Sequence, residues 1–353
     1  MTKILAIDLG KFKSVGCLFE TETNQTEFCT MTTDRHYLKT VLRNYTPDLV
    51  VVEACAISGW VSDFCQQEGY QVLVCSPSQE AWQWKNVKRK TDKDDALKLA
   101  KLAALGQLVP VYVPREEQRE YRSAVTYRKK LVGRINQVKN RIRAVFLRRG
   151  LLMPRGQSAW TVKGLGQIGE HARSLSVCSL GEFWRGELAL ELKQLLALNE
   201  QLKEVEERLD QFAKENSRVQ LLQTIPGVGR KTAEVVVAYL DDPTRFKNGR
   251  QVSSYGGFTP RRYQSGEMDR SGRINKRGSR LMRTALVEAA WAMLRYNEWA
   301  RTVYKRIRGK QKTRKKQAII ALARKLLVRC WVMLLRNEPW DPKREDVPKD
   351  RTD

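Results

Sequence analysis

The sequence predicts a mixed α/β domain at the N-terminus, followed by a mostly helical remainder. Three β-branched and apolar runs come first, helix-like and strand-like segments then alternate, and beyond residue 116 apolar residues recur at three- and four-residue steps. Three strands followed by alternating helix and strand is the order of the RNase-H-like fold. We therefore expect this fold in the first domain.

The strands and helices of the first domain can be placed from local pattern. A hairpin is predicted from residues 3–9 and 14–20, and a helix that begins at Asp92 should stop near Gly106, before an extended exit at Pro110 and Pro114. The domain should span residues 1–114. The remaining predicted elements are a strand at 26–31, a helix at 34–45, a strand at 48–53, a helix at 60–68 and a strand at 71–75.

The middle of the chain, residues 115–216, predicts a basic helical stalk. Apolar residues at helical spacing run through 116–150 and again through 188–212, and a Gly-rich stretch at 150–170 separates them. Two such helices can pair as an antiparallel coiled coil. The stalk is also a candidate dimerisation region.

The C-terminal domain, residues 217–338, contains Ile-Pro-Gly-Val-Gly at 225–229 between two helical segments, as in a helix-hairpin-helix element. Glycines there let phosphate approach the backbone, and helix N-terminal amides face it. A plain helical turn is the alternative. Residues 246–278 show little periodicity, helices return at 280–337, and residues 339–353 should form a charged tail.

The charge balance predicts a polyanionic partner. The chain of 353 residues has 65 Lys and Arg against 39 Asp and Glu, a net charge of +26. Solvated helix faces are the alternative explanation for any one basic cluster. The seven cysteines include no Cys-x-x-Cys pair, so a zinc site is not expected. With no signal peptide and no uncharged apolar run near 20 residues, we expect a reduced, cytoplasmic protein without a membrane partner.

Basic residues beside helix-competent or glycine-rich sequence are the candidates for contact with nucleic acid. We expect phosphate contacts from Lys88, Arg89, Lys90, Arg134, Lys139, Arg141, Arg143, Gly227, Gly229, Arg230, Lys231, Arg261, Arg262, Arg273, Lys276 and Arg280.

Four acidic residues form the candidate catalytic and metal site. Asp8 and Glu53 each end an apolar strand, and Asp92 and Asp95 are one turn apart on a helix. Carboxylate ligands suit Mg²⁺ or Mn²⁺, and a pair of such ions can clamp the attacking and leaving oxygens of a phosphodiester. Singly, each acid is equally explained as a turn former or helix-start residue. Asp94 lies on the opposite helix side and is assigned to the surface or to the periphery of the site.

The sequence resembles a known family in several strings: IDLGK at 7–11, VVVEAC at 50–55, KTDKDDA at 90–96, and TPRRYQSGEMDRSGRINKRGSRLMRTAL at 259–286. These are similar to insertion-sequence one-ten type transposases, which are related to the Piv invertases. The resemblance runs from residue 4 to about residue 310, with the motifs of both halves in the expected order.

The resemblance implies a RuvC-like DEDD domain, a coiled-coil region and a C-terminal transposase domain whose serine attacks DNA. It also implies a structured bridge RNA that selects target and donor DNA, and a homodimer that assembles to a tetramer. The family's four acids match Asp8, Glu53, Asp92 and Asp95.

The family's serine matches Ser265, because Pro260, Arg261 and Gly266 reproduce the surrounding signature. Where many relatives have Ile-Ser-Lys, this chain has Asn275 in place of the serine. Ser271 remains a rival, since chemistry alone does not separate it from Ser265.

The residues leave three other functions open. A hydrolytic, Holliday-junction-type nuclease would use only the four acids, and a non-catalytic protein would only bind nucleic acid. An actin-like ATPase would use the Ile-Asp-Leu-Gly string at 7–10 as a phosphate loop, although the net charge disfavours it.

Overall fold

A computed structural model of the chain describes residues 2–76, 91–265 and 268–343. The chain divides into two compact units between Arg119 and Glu120. Each unit is described by itself below.

The first unit is built on a five-stranded mixed sheet. The strands lie in the order β3-β2-β1-β4-β5; β2 is antiparallel to both of its neighbours, whereas β1, β4 and β5 are parallel. This topology is consistent with the RNase-H-like order predicted from the sequence. The bounds are β1 (Lys3–Asp8), β2 (Lys13–Glu20), β3 (Thr26–Thr32), β4 (Leu49–Glu53) and β5 (Gln71–Cys75).

Helices cover both faces of the sheet. In the described part of this unit they are α1 (Arg35–Tyr45), α2 (Ser58–Gln67) and α3 (Asp92–Ala104). Leu5 and Ile7 of β1 join the core formed with α1 and α2, whereas Ile4 and Ala6 join the core formed with α3. This division follows from the alternation of side chains along a strand. Because both faces of the sheet are buried, the sequences of β1 and β4 are nearly continuous apolar runs.

The turn after β1 depends on Gly10. A side chain at Gly10 would collide with the Lys13 carbonyl oxygen, so this close approach alone accounts for the glycine. Thr33 Oγ1 donates a hydrogen bond to the Gly10 carbonyl oxygen at 2.9 Å, and it lies 2.7 Å from Ser14 Oγ. The turn therefore holds the backbone that follows Asp8.

Two helices of 33 residues each dominate the start of the second unit, α4 (Glu116–Arg148) and α6 (Phe183–Glu215), with the short α5 (Val162–Gly169) between them. Their apolar faces share one core. Arg141 pairs with Glu191 at 2.6 Å and Arg148 pairs with Glu187 at 2.8 Å. Because the later residue of α4 meets the earlier residue of α6, the helices are antiparallel.

The rest of the second unit is a helical core that carries one β-hairpin. Trp331 lies at the centre of this core, 1% exposed, and its indole nitrogen donates to the Pro243 carbonyl oxygen at 2.8 Å. The elements are α7 (Ser217–Gln223), α8 (Arg230–Leu240), α9 (Gly249–Tyr255), β6 (Pro260–Ser265), β7 (Met268–Ile274), α10 (Arg280–Tyr296), α11 (Glu298–Arg308) and α12 (Lys315–Arg336).

A buried ion pair joins α4 to α8. Arg128 and Glu234 are in contact, with 7% and 0% of their side chains exposed, and Arg230 Nε lies 3.2 Å from the second Glu234 oxygen. Burial raises the pKa of the Glu234 carboxyl, against the opposing effect of the two guanidinium groups. The charges of Arg128 and Glu234 are thus both removed from water where α4 meets α8, and each is stabilised there by the other.

We predict that Arg128→Met destabilises the second unit, because it leaves the Glu234 carboxylate buried beside a single remaining guanidinium. The expected loss is about 3 to 5 kcal/mol. Urea-induced unfolding followed by circular dichroism measures it. The double variant Arg128→Met/Glu234→Leu should recover most of the loss, because it removes both charges.

Arg134→Met is the matched control, since Arg134 lies on the exposed side of the same helix. Its stability should stay within about 0.5 kcal/mol of the parent protein. Equal losses in the single and double Arg128 variants would contradict the assignment.

Candidate active site and nucleic-acid interface

Asp8 and Glu53 occupy equivalent positions on adjacent parallel strands. Ile7 of β1 pairs with Val52 of β4, and the two acids are the next residue on each strand. Ala6 and Val51, two positions earlier, both belong to the core beneath α3. Side-chain alternation therefore places Asp8 and Glu53 on the α3 face of the sheet, at the carboxyl ends of their strands.

The pKa of the neighbouring Cys75 thiol reflects this arrangement. Burial raises that pKa to about 11, and the charge of Glu53, its partner in the strand register, adds to the increase. All seven cysteines are free thiols. Cys75 acts as a core residue beside the acidic site.

Asp92 and Asp95 extend the buried stripe of α3. Asp95 is 9% exposed, and Ala96 and Leu99 beyond it pack against the same sheet face that carries the strand-end acids. Asp92 is one turn before Asp95, so it lies on the same helix side, although it is exposed.

Asp94 has a separate, structural role. Its carboxylate accepts a hydrogen bond from the Thr91 backbone amide at 3.1 Å, while the Thr91 hydroxyl accepts one from the Asp94 amide at 3.3 Å. This reciprocal capping box starts α3. Of the three acids in the first turn of α3, Asp94 therefore caps the helix, whereas Asp92 and Asp95 belong to the candidate site.

The structure brings the four acids to one sheet face without closing them into a metal-binding group. Within residues 2–76, 91–265 and 268–343, no set of three or more His, Cys, Asp or Glu side chains is close enough to hold a metal ion. The chemistry of the donors nevertheless fits a hard cation, because all four are carboxylates.

Ser265 ends β6 and lies at the tip of an exposed hairpin. In the register of β6 and β7 it pairs with Met268, and every residue of β6 is exposed. Ser271 lies farther from the tip: it pairs with Arg262 and comes three residues after Met268. The sequence indicated little regular structure between residues 246 and 278 and did not predict this hairpin; the Gly-Glu dipeptide at 266–267 is a local signal that could have indicated a turn.

One ion pair fastens the hairpin across its strands. Arg262 Nε and Nη2 donate to the two Asp269 oxygens at 2.9 and 2.5 Å. This contact lowers the pKa of Asp269 and raises that of Arg262. Arg262, a predicted phosphate ligand, therefore already has a carboxylate partner. Arg261, Arg273, Lys276 and Arg280 are exposed around the same hairpin.

A cavity of about 740 Å³ lies beside the hairpin, at the start of α10. Arg122 of α4 and Arg277 line it together with Arg280. The sequence predictions included only Arg280. Arg277 could have been found from the basic string at 276–280, but the position of Arg122, about 155 residues earlier, requires the tertiary structure.

The turn between α7 and α8 is held mainly by protein contacts. Gly227 has a φ of +93°, and a side chain there would lie 2.8 Å from the Met293 Cα atom of α10. Gly229 faces open space at the N-cap of α8. Arg230 contacts Asp210 and Lys231 contacts Glu206, both on α6. These contacts explain Gly227, Arg230 and Lys231 by their role in packing. Gly229 is the glycine of the turn whose backbone faces open space.

The basic residues of α4 differ in their surroundings. Lys139 and Arg143 both lie 5.0 Å from the centre of the Trp160 ring, and burial, followed by the charge of Arg143, lowers the pKa of Lys139. Arg141 is engaged with Glu191. Arg134 is exposed. The predicted residues Lys88, Arg89 and Lys90 lie outside the described residues.

Among the described helices, none combines the length and apolar character that a membrane span requires.

Two family models match this chain. Residues 5–149 match a DEDD model of the IS110 type, described as a transposase, which covers the sheet, α3 and the four acids. Residues 219–305 match the model described as "Transposase IS116/IS110/IS902 family", which covers the α7–α8 turn and the hairpin with Ser265.

Full-length relatives support the same assignment. The transposase for insertion sequence element IS1111A of Coxiella burnetii is 29% identical over 349 residues, 96% of this chain and 91% of that protein. A putative transposase, y4rJ, of Sinorhizobium fredii is 30% identical over 312 residues, 81% and 77% of the two chains. The pilin gene-inverting protein of Moraxella lacunata is 37% identical over 131 residues, 36% and 40%. The chain is therefore a DNA transposase or recombinase that belongs to the IS116/IS110/IS902 family of transposases.

Proposed function

We propose that the enzyme cuts and rejoins DNA through a covalent phosphoserine intermediate, with Ser265 as nucleophile and the acids Asp8, Glu53, Asp92 and Asp95 as ligands of divalent metal, Mg²⁺ or Mn²⁺. The observation that carries the proposal is the position of Asp8 and Glu53. They end adjacent parallel strands in register, on the sheet face that α3 covers. Asp95 is buried on α3, and Asp92, which is exposed, lies one turn earlier on the same side of the helix.

The proposed chemistry conserves the number of phosphodiester bonds. The Ser265 oxygen forms a bond to phosphorus, the bond from phosphorus to the leaving strand's oxygen breaks, and the serine proton ends on the released hydroxyl. Strand exchange followed by attack of another hydroxyl reverses the step and frees the serine. A divalent cation held by the four carboxylates would lower the pKa of the attacking hydroxyl and stabilise charge on the phosphate.

The surroundings of Ser265 support this division of labour. The hairpin at 260–274 contains no histidine that could act as a general base. The acids belong to the first unit and Ser265 to the second, so the reaction requires both units, from one subunit or from two. Arg261, Arg273 and Lys276 are exposed near the serine and suited to phosphate oxygens.

The proposal includes two kinds of nucleic acid. The net charge of +26 and the transposase family account for DNA. Selection of donor and target by a structured bridge RNA rests on the resemblance to the insertion-sequence one-ten type family, as does assembly of a homodimer into a tetramer. The name of the Moraxella relative, a pilin gene-inverting protein, adds that such chains rearrange DNA.

We predict that Asp8→Asn and Glu53→Gln each reduce DNA cleavage by at least about 100-fold, because each removes a charged metal ligand without changing the strand. Recombination of a plasmid carrying donor and target sites measures the effect. Asp94→Ala is the matched control: it removes the cap of α3, costs about 1 kcal/mol of stability, and should leave cleavage intact at a temperature well below unfolding. Loss of activity in Asp94→Ala alone would contradict the assignment of roles.

A second prediction distinguishes the two serines and tests the nuclease alternative. Ser265→Ala should abolish a protein–DNA adduct that survives denaturation, because the nucleophile is gone, whereas Ser271→Ala should retain it. Denaturing electrophoresis of protein incubated with labelled DNA reports the adduct. Cleavage without any adduct in the parent protein would instead favour hydrolysis by the acidic site alone.

A third prediction concerns the RNA. Protein purified from cells that carry its complete element should retain a defined RNA, and sequencing should recover one transcript enriched over total cellular RNA. Arg134→Gln, with a basic exposed residue of α4 neutralised, should retain less of it. Recovery of random cellular RNA in proportion to its abundance would oppose a guide function.

A further inference from the structure

Exposed aromatic rings mark the outer side of α10 and α11. Trp291 on α10 is 46% exposed and Tyr296, the last residue of α10, is 67% exposed. Tyr304 on α11 lies beside Trp291, with ring centroids 6.4 Å apart and planes inclined at 53°. Rings of this size usually bury most of their surface in a core, so their exposure requires an explanation.

The buried sides of the two helices are formed by other residues, and of the three rings only Tyr304 also packs partly against the core. The buried side of α10 is formed by Met282, Leu286, Ala290 and Met293, and that of α11 by residues such as Val303. Trp291 lies beside this stripe. Its ring is therefore available for contact with another molecule.

Positive charge surrounds the same rings. The Arg308 guanidinium lies 5.9 Å from the centre of the Tyr304 ring, and Arg301 Nη1 donates to the Arg295 carbonyl oxygen at 3.3 Å where α10 meets α11. In the sequence, residues 299–337 contain thirteen Lys and Arg and no Asp or Glu. Glu298 and Glu338 flank this run, and Glu288 lies one turn before Trp291 on α10.

The cations of α11 do not form ion pairs within the part of the chain that the structure describes: no carboxylate oxygen lies within 4.0 Å of the charged groups of Arg301, Lys305 or Arg308. By contrast, Arg230, Lys231 and Arg262 are paired. The positive potential of α11 is consequently available to an anionic ligand.

We propose that this surface, defined by Trp291, Tyr296, Tyr304, Arg301, Lys305 and Arg308 and called the α10–α11 aromatic surface, binds a single-stranded segment of nucleic acid. Unpaired bases stack on Trp291 and Tyr304. Arg301, Lys305 and Arg308 bind the phosphates that link those bases. Aromatic stacking beside a positively charged track is how proteins bind single strands without reading sequence.

The aromatic rings select a single strand over a duplex. In a duplex the flat faces of the bases are covered by their neighbours, so only phosphates would meet the surface and the rings would gain nothing. Arg301, Lys305 and Arg308 follow one another at helical spacings of four and three residues, a separation of about 6 Å and about 4.5 Å along the axis. A flexible strand can adapt its phosphates to such a track.

This inference rests on the proposed function only in that cutting and exchange of strands expose unpaired bases. It adds a binding site within α10 and α11 that is separate from the acids and from the Ser265 hairpin. The same phosphate and base chemistry is present in DNA and RNA, so both sources are tested.

The test compares equilibrium binding of labelled 20-nucleotide single strands, oligothymidine and oligouridine, with that of a blunt DNA duplex of equal length. Fluorescence anisotropy of the full-length protein gives each Kd. Trp291→Ala and Tyr304→Ala should each weaken single-strand binding about tenfold while changing duplex binding less than about twofold. Arg301→Gln should lower the dependence of log Kd on log salt by about 0.7.

Phe212→Ala is the matched control. Phe212 is 41% exposed on α6 and has Arg208 4.4 Å from its ring centre, but acids dominate residues 204–215. It should leave single-strand binding unchanged. Circular dichroism and thermal melting verify that every variant is folded.

Equal weakening of single-strand and duplex binding by Trp291→Ala, or no weakening at all, would overturn the proposal. A selective loss with oligothymidine alone or with oligouridine alone supports it and identifies the source as DNA or RNA. The serine mechanism is read from the protein–DNA adduct and this binding site from the single-strand Kd, so failure of one and failure of the other give different results.

Discussion

The parallel pairing of β1 with β4 is the constraint on which the acidic site depends. It sets Asp8 and Glu53 side by side at the carboxyl ends of neighbouring strands. A shift of one residue in this register would turn one acid to the opposite face of the sheet. The apolar residues of both strands prevent that shift, because each strand is buried on both faces. A core packed for stability thereby fixes the positions of charged groups that contribute little to it.

In the second unit, by contrast, charged side chains form ion pairs that join helices. Arg128, Arg230 and Glu234 are drawn into the junction of α4 and α8, and Lys231 and Arg230 also tie α8 to α6. A strongly basic chain must bury or pair some of its cations to hold its own helices together. Within the described residues, Arg301, Lys305 and Arg308 of α11 have no ion-pair partner, so a polyanion can reach them.

The sequence predicted the first unit in detail because the pattern there is local. Strand periodicity, turn residues and the cap of α3 located each element to within a few residues, and the strand order followed from their sequence. The four acids could be selected because two of them end strands and the other two lie one turn apart on a helix. The local pattern did not reveal that Asp94 caps α3, because the DKDD string offers several equivalent carboxylates.

Prediction was weakest where long-range contacts decide the role of a residue. Gly227 fits a phosphate-binding turn by sequence, but it packs against Met293, 66 positions away. Arg230 and Lys231 are basic residues beside a helix start, and only the position of α6 shows their acidic partners. Every residue of β6 is exposed, so the alternation that reveals most strands is missing from its sequence.

The exposure of β6 has a consequence for how Ser265 is presented. A two-stranded hairpin without an apolar face is at best marginally stable by itself, and here one exposed ion pair between Arg262 and Asp269 links the strands. Contacts made to a bound strand therefore contribute directly to holding the serine in one place. Alignment of the proposed nucleophile thereby becomes part of substrate recognition, and a poorly matched partner leaves the serine less well ordered.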